Sequence, residues 1–285
     1  MKKVDSLLRR LDAWQQAHHW AAVTYAVIKR YGEAEVGQQA ALLTYYSFLS
    51  LFPLLLVLGT LAGLLGSSHP TLQHDIVKST TSYFPVLGNQ LSAHVSTLHR
   101  NGVALVIGMV LTLYGARGVA DAFRRGVQHI WHVPKAERLG FPKTVPNSLL
   151  LIGVGGLGFI LASIFTGLAA SAGHGALFRL LSVAVNVAIL FGLFMFLLKI
   201  CLPRRITFRD IRSGALAATI GLIVLQAVGG YLLKRELKHL DALYSYFALA
   251  LGLLFWIYLQ AQVLYYAVTL AAVKDQSLWP RSFKD

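Results

Sequence analysis

The sequence predicts an all-α membrane protein: a polytopic bundle of about six transmembrane helices, with an N-terminal amphipathic helix and an extracytoplasmic helical loop. Three observations predict it. Of 285 residues, 56% are hydrophobic and only 13% are charged, against roughly 25% charged in a soluble domain. The mean hydropathy is +0.59. Six apolar stretches lack Asp, Glu, Lys and Arg, most of them at or above the ~20 residues a helix needs to cross hydrocarbon. These runs are continuous rather than alternating, which favours helices over a closed barrel.

Residues 1–35 are expected to be a cytoplasmic segment. Leu7, Leu11, Trp14, Ala21, Tyr25 and Ile28 recur near helical spacing beside Lys2, Lys3, Arg9 and Arg10. Such a helix either lies on the inner membrane surface, held by apolar burial and anionic lipid, or packs on the end of the bundle. Met1 to Arg30 has no continuous apolar core, so no secretory signal is expected.

Residues 36–275 are expected to form the six-span domain and 276–285 a cytoplasmic tail. Span 1 runs roughly from Ala40 to Gly66, with Pro53 as a candidate kink. Ser79 to His99 also lacks charged residues, yet polar side chains run throughout, so it reads as an extramembrane helix or loop. Span 2 starts at Asn101, and its uncharged part stops too early, at Ala116. Its helical pattern continues through Arg117, Asp121, Arg124 and Arg125 to Trp131, with Pro134 as the stop. Arg117 and Asp121, four apart, make a candidate ion pair at the cytoplasmic end. A charge at the bilayer centre costs about 2.5–3.5 kcal/mol, so the pair belongs near the interface or in a wet cavity. Spans 3 to 6 cover Thr144 to Phe178, Leu180 to Leu198, Ser213 to Leu233 and Ala242 to Val273.

The net charge of +14 follows the same topology. Twenty of the 26 lysines and arginines fall in the N-terminal segment, the span 2–3 and 4–5 connections and the tail. Basic loops mark the cytoplasmic face, which places both ends inside and requires an even number of spans. Nucleic acid is therefore not an expected partner; anionic membrane lipid is. The single Cys201 permits no intramolecular disulfide.

No catalytic, metal or cofactor site is expected. Gly153-Val-Gly155-Gly156-Leu-Gly158 matches G-x-G-x-x-G, but it lies inside an apolar span without the βαβ setting that motif needs. Small residues letting helix backbones approach is the better reading, there and at Gly59 and Gly63. The ten histidines show no zincin spacing, and the twelve acids are dispersed. More informative are polar stripes within spans: Thr44, Tyr45, Tyr46 and Ser47 in span 1, Thr219 and Gln226 in span 5, and Tyr258, Gln262, Tyr265 and Thr269 in span 6. Polar groups avoid lipid. These faces either hydrogen-bond between helices or line a polar path.

Ala40-Ala-Leu-Leu-Thr-Tyr-Tyr-Ser-Phe-Leu-Ser-Leu-Phe-Pro53 resembles the first-span signature of the YihY/BrkB family. Ala122-Phe-Arg-Arg-Gly-Val-Gln-His-Ile-Trp131, Leu202 to Ala215, and Tyr244 to Ala272 with Trp256 are similar to its later segments. The resemblance spans roughly residues 20–275. It implies a multi-pass bacterial inner-membrane protein without enzymatic chemistry, an older ribonuclease BN label notwithstanding. Two departures stand out: Tyr266-Ala267-Val268 replaces a Gly-Ala-Glu of the family's last span, and Gln128 replaces an Asn. Together the stripes and the resemblance point to a transporter or exporter of an unidentified amphipathic or lipid-like envelope component. A non-transporting membrane scaffold is the alternative, and a membrane-associated ribonuclease ranks last.

Overall fold

A computed structural model of the chain describes residues 12–66, 102–140, 142–170, 176–236 and 245–282. Among them no strand occurs. Seven helices of 15 residues or more organise them: α1 (His19–Glu33), α2 (Val36–Gly66), α3 (Gly102–Ile130), α4 (Thr144–Ala170), α5 (Ala176–Cys201), α6 (Phe208–Glu236) and α7 (Ser245–Asp275). The expected loop at Ser79 to His99 lies outside the described residues. By length and composition, α3 to α7 can each cross a membrane. The sixth long apolar helix, α2, has 31 residues, about 46 Å at 1.5 Å per residue, and it contains no Asp, Glu, Lys or Arg. It continues through Pro53.

Local chemistry explains the helix ends. α3 passes through its charged residues as expected but stops at Ile130, four residues before Pro134. There His132 adopts a left-handed conformation (φ 51°), and the Val133 N–H donates to the Gln128 carbonyl at 2.9 Å, the capping geometry that satisfies terminal carbonyls. α5 begins at Ala176, so Phe178 belongs to it rather than to the preceding span, and Arg179, expected between the two spans, lies in its first turn. α6 begins earlier than expected, at Phe208: the Thr207 N–H and hydroxyl both donate to Asp210 Oδ2 at 2.7 Å. That carboxylate cap on Thr207 starts the helix before its apolar run, leaving Arg209 and Arg212 in its first turns.

The helices pack chiefly as three pairs, α2 with α3, α4 with α5 and α6 with α7; α7 also lies on α2, and α5 on α6. Glycines bring α2 and α3 together, since a Cβ on Gly115 would sit 2.8 Å from Ser50 Cβ and one on Gly118 would sit 2.6 Å from Tyr46 Cδ1. In the span 3 motif only Gly158 serves such an approach, against Leu193; Gly153 and Gly156 have open space where a Cβ would go. Close packing at a small residue thus holds at Gly158, against a side chain, and not at Gly153 or Gly156; the surroundings of Gly59 and Gly63 lie outside what is described.

All the described basic connections meet at one end. Trp131 Nε1 donates to Asp275 Oδ2 (3.1 Å), Gln128 Nε2 to the Cys201 carbonyl (2.9 Å), and Arg205 pairs with Glu137 (3.3 Å). α1 packs on this end. The chain after α7 folds back over it: Val23, Ala26 and Val27 pack with Val273, Leu278 and Trp279, and Arg281 grips both carboxylate oxygens of Glu33 (2.7 and 2.6 Å). Of the two placements expected for the amphipathic segment, its described part α1 packs on the bundle end; Leu7, Leu11 and the basic residues beside them lie outside the described residues. Its buried face is Ala21, Ala22, Val23, Ala26 and Val27, whereas Trp14 and Ile28 are exposed. The small side chains win because a helix packed on other helices needs close approach more than bulk.

Candidate functional site

One face of α3 carries Val106, Val110, Leu113, Arg117, Asp121, Arg124 and Gln128, spaced three or four apart and so aligned along the helix. Its lower part is built into the bundle. Arg124, its side chain 7% exposed, pairs with Asp121 at 2.8 Å. Its other guanidinium nitrogen donates to the Thr144 carbonyl (3.3 Å), Asn147 Oδ1 (3.2 Å) and Ser148 Oγ (3.3 Å) at the start of α4. The Ser148 hydroxyl donates to Asp121 Oδ1 at 2.5 Å, and Asn147 Nδ2 to the Ile200 carbonyl of α5 at 3.3 Å. A buried cation, a carboxylate and three polar partners therefore pin α3, α4 and α5 together at the basic end. Buried charges persist only when paired and hydrogen-bonded in this way.

Higher up, the same face is open. Leu113, Val110 and Val106 are 55%, 62% and 60% exposed, and Arg117 is 44% exposed. The face that touches α4 and α5 at Arg124 and Gln128 thus loses them about two turns later. α3 makes few contacts with either helix. α3 and α4 are among the least enclosed of the apolar helices, and α7 is the most enclosed. On α4, Phe159 lies three turns above Ser148 on the same side and is exposed. The two helices are joined at the basic end, and along their apolar parts both present exposed side chains on that side; this shared open face, with Arg117 at its floor, is termed the wedge. The exposed stretch from Val106 to Arg117 is about 17 Å tall.

The expected Arg117–Asp121 pair is present but loose, at 3.9 Å; the carboxylate is committed to Arg124 and Ser148. The expected stripe of the last span divides in two. Tyr265 is fully buried, its hydroxyl donates to the Ala122 carbonyl of α3 (3.3 Å), and it lies against Gly126. The Thr269 hydroxyl donates back to the Tyr265 carbonyl (2.7 Å). Thr44 and Thr219 behave alike, donating to Ala40 (2.7 Å) and Ala215 (2.8 Å) within their own helices. Tyr258 and Gln262 instead turn toward α1: the Tyr31 hydroxyl donates to Gln262 Oε1, and Gln262 Nε2 donates to the Tyr258 hydroxyl. Tyr31 also stacks on Tyr266 (4.0 Å between centroids). Burial, with Tyr266 and Tyr258 beside it, pushes the Tyr31 hydroxyl well above the usual tyrosine range, so it remains a donor. Tyr45 is exposed, edge-on to Tyr46, and Ser47 and Gln226 are half-buried.

Sequence reasoning missed Arg124 as the partner of Asp121, and it missed Tyr31, Asn147 and Ser148. For Arg124 a signal existed, since i, i+3 partners share a face as i, i+4 partners do.

The matching family model, Virulence factor BrkB, covers residues 27–282. The chain belongs to the Virulence factor BrkB family. It is similar to "Putative ribonuclease-like protein YfkH" of Bacillus subtilis (strain 168), 25% identical over 82% of this chain and 88% of the relative. It is also similar to "Inner membrane protein YhjD" of Escherichia coli (strain K12), 24% identical over 89% of this chain and 81% of the relative. No solved structure matches at a significant level. This BrkB protein is therefore an integral membrane helical bundle. The wedge, the Arg124 pin and the Tyr31–Gln262–Tyr258 chain all lie inside the matched region.

Proposed function

We propose that the chain moves an amphipathic, lipid-like molecule through the bacterial inner membrane, entering and leaving sideways through the wedge between α3 and α4. The observation that carries this reading is the single face of α3 that is pinned by buried charge at one end and open and apolar at the other. An amphiphile needs that combination: a polar floor for its head and a lipid-accessible wall for its tail. The name of the Escherichia coli relative supports the membrane. The sequence concentrates 20 cations in these segments, and the described ones among them meet at one end, which supports placing that end, with both termini, in the cytoplasm. The Tyr258–Gln262 arm supplies a second polar face within the bundle. A non-transporting scaffold draws on the close packing of α2, α6 and α7.

The test uses purified protein in phosphatidylcholine vesicles carrying a trace of headgroup-labelled short-chain lipid, with leaflet exchange followed by quenching from outside. Wild-type protein is expected to speed exchange. Val110→Trp and Leu113→Trp should fill the wedge and slow exchange several-fold without lowering thermal stability. Wild-type vesicles that exchange no faster than protein-free ones, or filled variants that fold and work normally, overturn the reading.

A further inference from the structure

We propose that Arg117 is the headgroup-binding residue of the wedge and that the molecule it selects bears an oxyanion, a phosphate or carboxylate group, on an apolar tail. This rests on the wedge reading above and names the substrate class that reading leaves open.

Three observations lead to it. First, depth: Arg117 lies seven residues before Arg124 on the same face, about 10 Å further along α3 than the contact with the first turn of α4. That first turn, beside Lys143 and the basic connection, marks the polar boundary of the bundle. A cation carried about 10 Å beyond that boundary, at the end of the uncharged part of α3, is costly in hydrocarbon unless it meets an anion, and an ionisable residue within a span is a functional-site candidate by default. Second, pairing: the nearest carboxylate, Asp121, is already neutralised by Arg124 at 2.8 Å and bonded by Ser148 at 2.5 Å. Arg117 reaches it only through Nε at 3.9 Å, so the three charges carry one net positive charge. Third, access: Arg117 is 44% exposed, directly below exposed Leu113 and Val110. A guanidinium fork facing an open apolar wall suits an oxyanion better than a neutral head, because planar bidentate bonds match phosphate and carboxylate oxygens.

The experiment places a photoreactive benzoylphenylalanine at Val110 of the full-length protein in phosphatidylcholine nanodiscs, with a control probe at Ile220, which is exposed on α6. Radiolabelled phosphatidylglycerol or radiolabelled phosphatidylcholine is added at equal trace amounts. Labelling at Val110 should favour the anionic lipid by roughly five-fold, the scale of one modest charge-assisted contact, while Ile220 shows no preference. Arg117→Gln should abolish the preference and Arg117→Lys should retain part of it, with both variants eluting as the wild type does. Inorganic phosphate as competitor separates the sources: no effect identifies a lipid headgroup, and loss of anionic labelling identifies a site that takes the free oxyanion. Equal labelling by both lipids, or a preference that survives Arg117→Gln, overturns the assignment to Arg117 and leaves the wedge standing. No labelling at Val110 while Ile220 labels shows the wedge closed to lipid and overturns both.

Discussion

Arg124→Met should be among the most damaging single changes to the bundle, and the size of the loss follows from its surroundings. The Arg124 side chain is 7% exposed and its partner Asp121 is 22% exposed. Removing one member of a buried pair leaves the other charge uncompensated, at a cost of about 3–5 kcal/mol. Asp121 retains Ser148 and some solvent, which favours the lower end, about 3 kcal/mol. At roughly 2–4 °C per kcal/mol, the melting temperature should fall by about 6–12 °C. The protein contains its own reporter. Cys201 is the only cysteine, it is 1% exposed, and its carbonyl accepts the bond from Gln128 beside the pin. A fluorogenic maleimide will therefore react as this end of the bundle opens. Arg125→Met, on the exposed side of the same turn, is the control and should stay within about 0.5 kcal/mol of wild type. Replacing both Asp121 and Arg124 by apolar residues should recover much of the loss, because no unpaired charge remains. If Arg124→Met melts with Arg125→Met, or the double variant is worse than the sum of the singles, the pin does not hold α3 to α4.

Gly126→Ala would set a methyl 2.6 Å from Tyr265 Cζ and 2.7 Å from Cε1, an overpacking cost of about 1–3 kcal/mol. Adding Tyr265→Leu should return part of it, seen as positive coupling in a double-mutant melting cycle. Gln262→Leu removes the acceptor of Tyr31 and the donor to Tyr258. It should cost about 1 kcal/mol through the half-buried hydroxyls left without that partner, and it should lower lipid exchange if the α7 arm belongs to the path. Glu33→Ala breaks the Arg281 pair, whose side chains are 21% and 41% exposed; it should cost under about 1 kcal/mol and shrink further in high salt. Raising pH through the normal tyrosine range should leave Tyr31 protonated. Since its folded-state value is raised, its contribution is complete below the unfolded value and is lost only at more alkaline pH; comparing alkaline melts of wild type and Tyr31→Phe reads this directly.

Much of the fold was legible because lipid is an undemanding reader of sequence: a span must be long and apolar wherever it packs. The continuation of α3 through its charged residues followed from periodicity alone. The start of α6 did not, because Thr207 and Asp210 act through hydrogen bonds that composition does not reveal. In the N-terminal segment the expected stripe divides: Ala21 is buried and Tyr25 half-buried against the bundle, whereas Trp14, before α1, and Ile28, within it, are exposed. The polar stripe of α7 was real as a stripe, but Tyr265 reaches α3, Thr269 bonds back to its own helix, and Tyr258 and Gln262 engage α1, a division that helical spacing does not predict.

The sequence by itself determined the class, the apolar spans and the concentration of 20 cations in a few segments. These depend on partition between water and lipid, and partition is nearly additive over residues. Tertiary structure decided which charges meet. Asp121 has an arginine four residues before it and another three residues after, on one face and with equal claim. Only the arrival of Ser148 and Asn147 on α4 selects Arg124, because a buried pair survives where further polar groups complete it. The same choice leaves Arg117 loosely paired at the floor of the wedge.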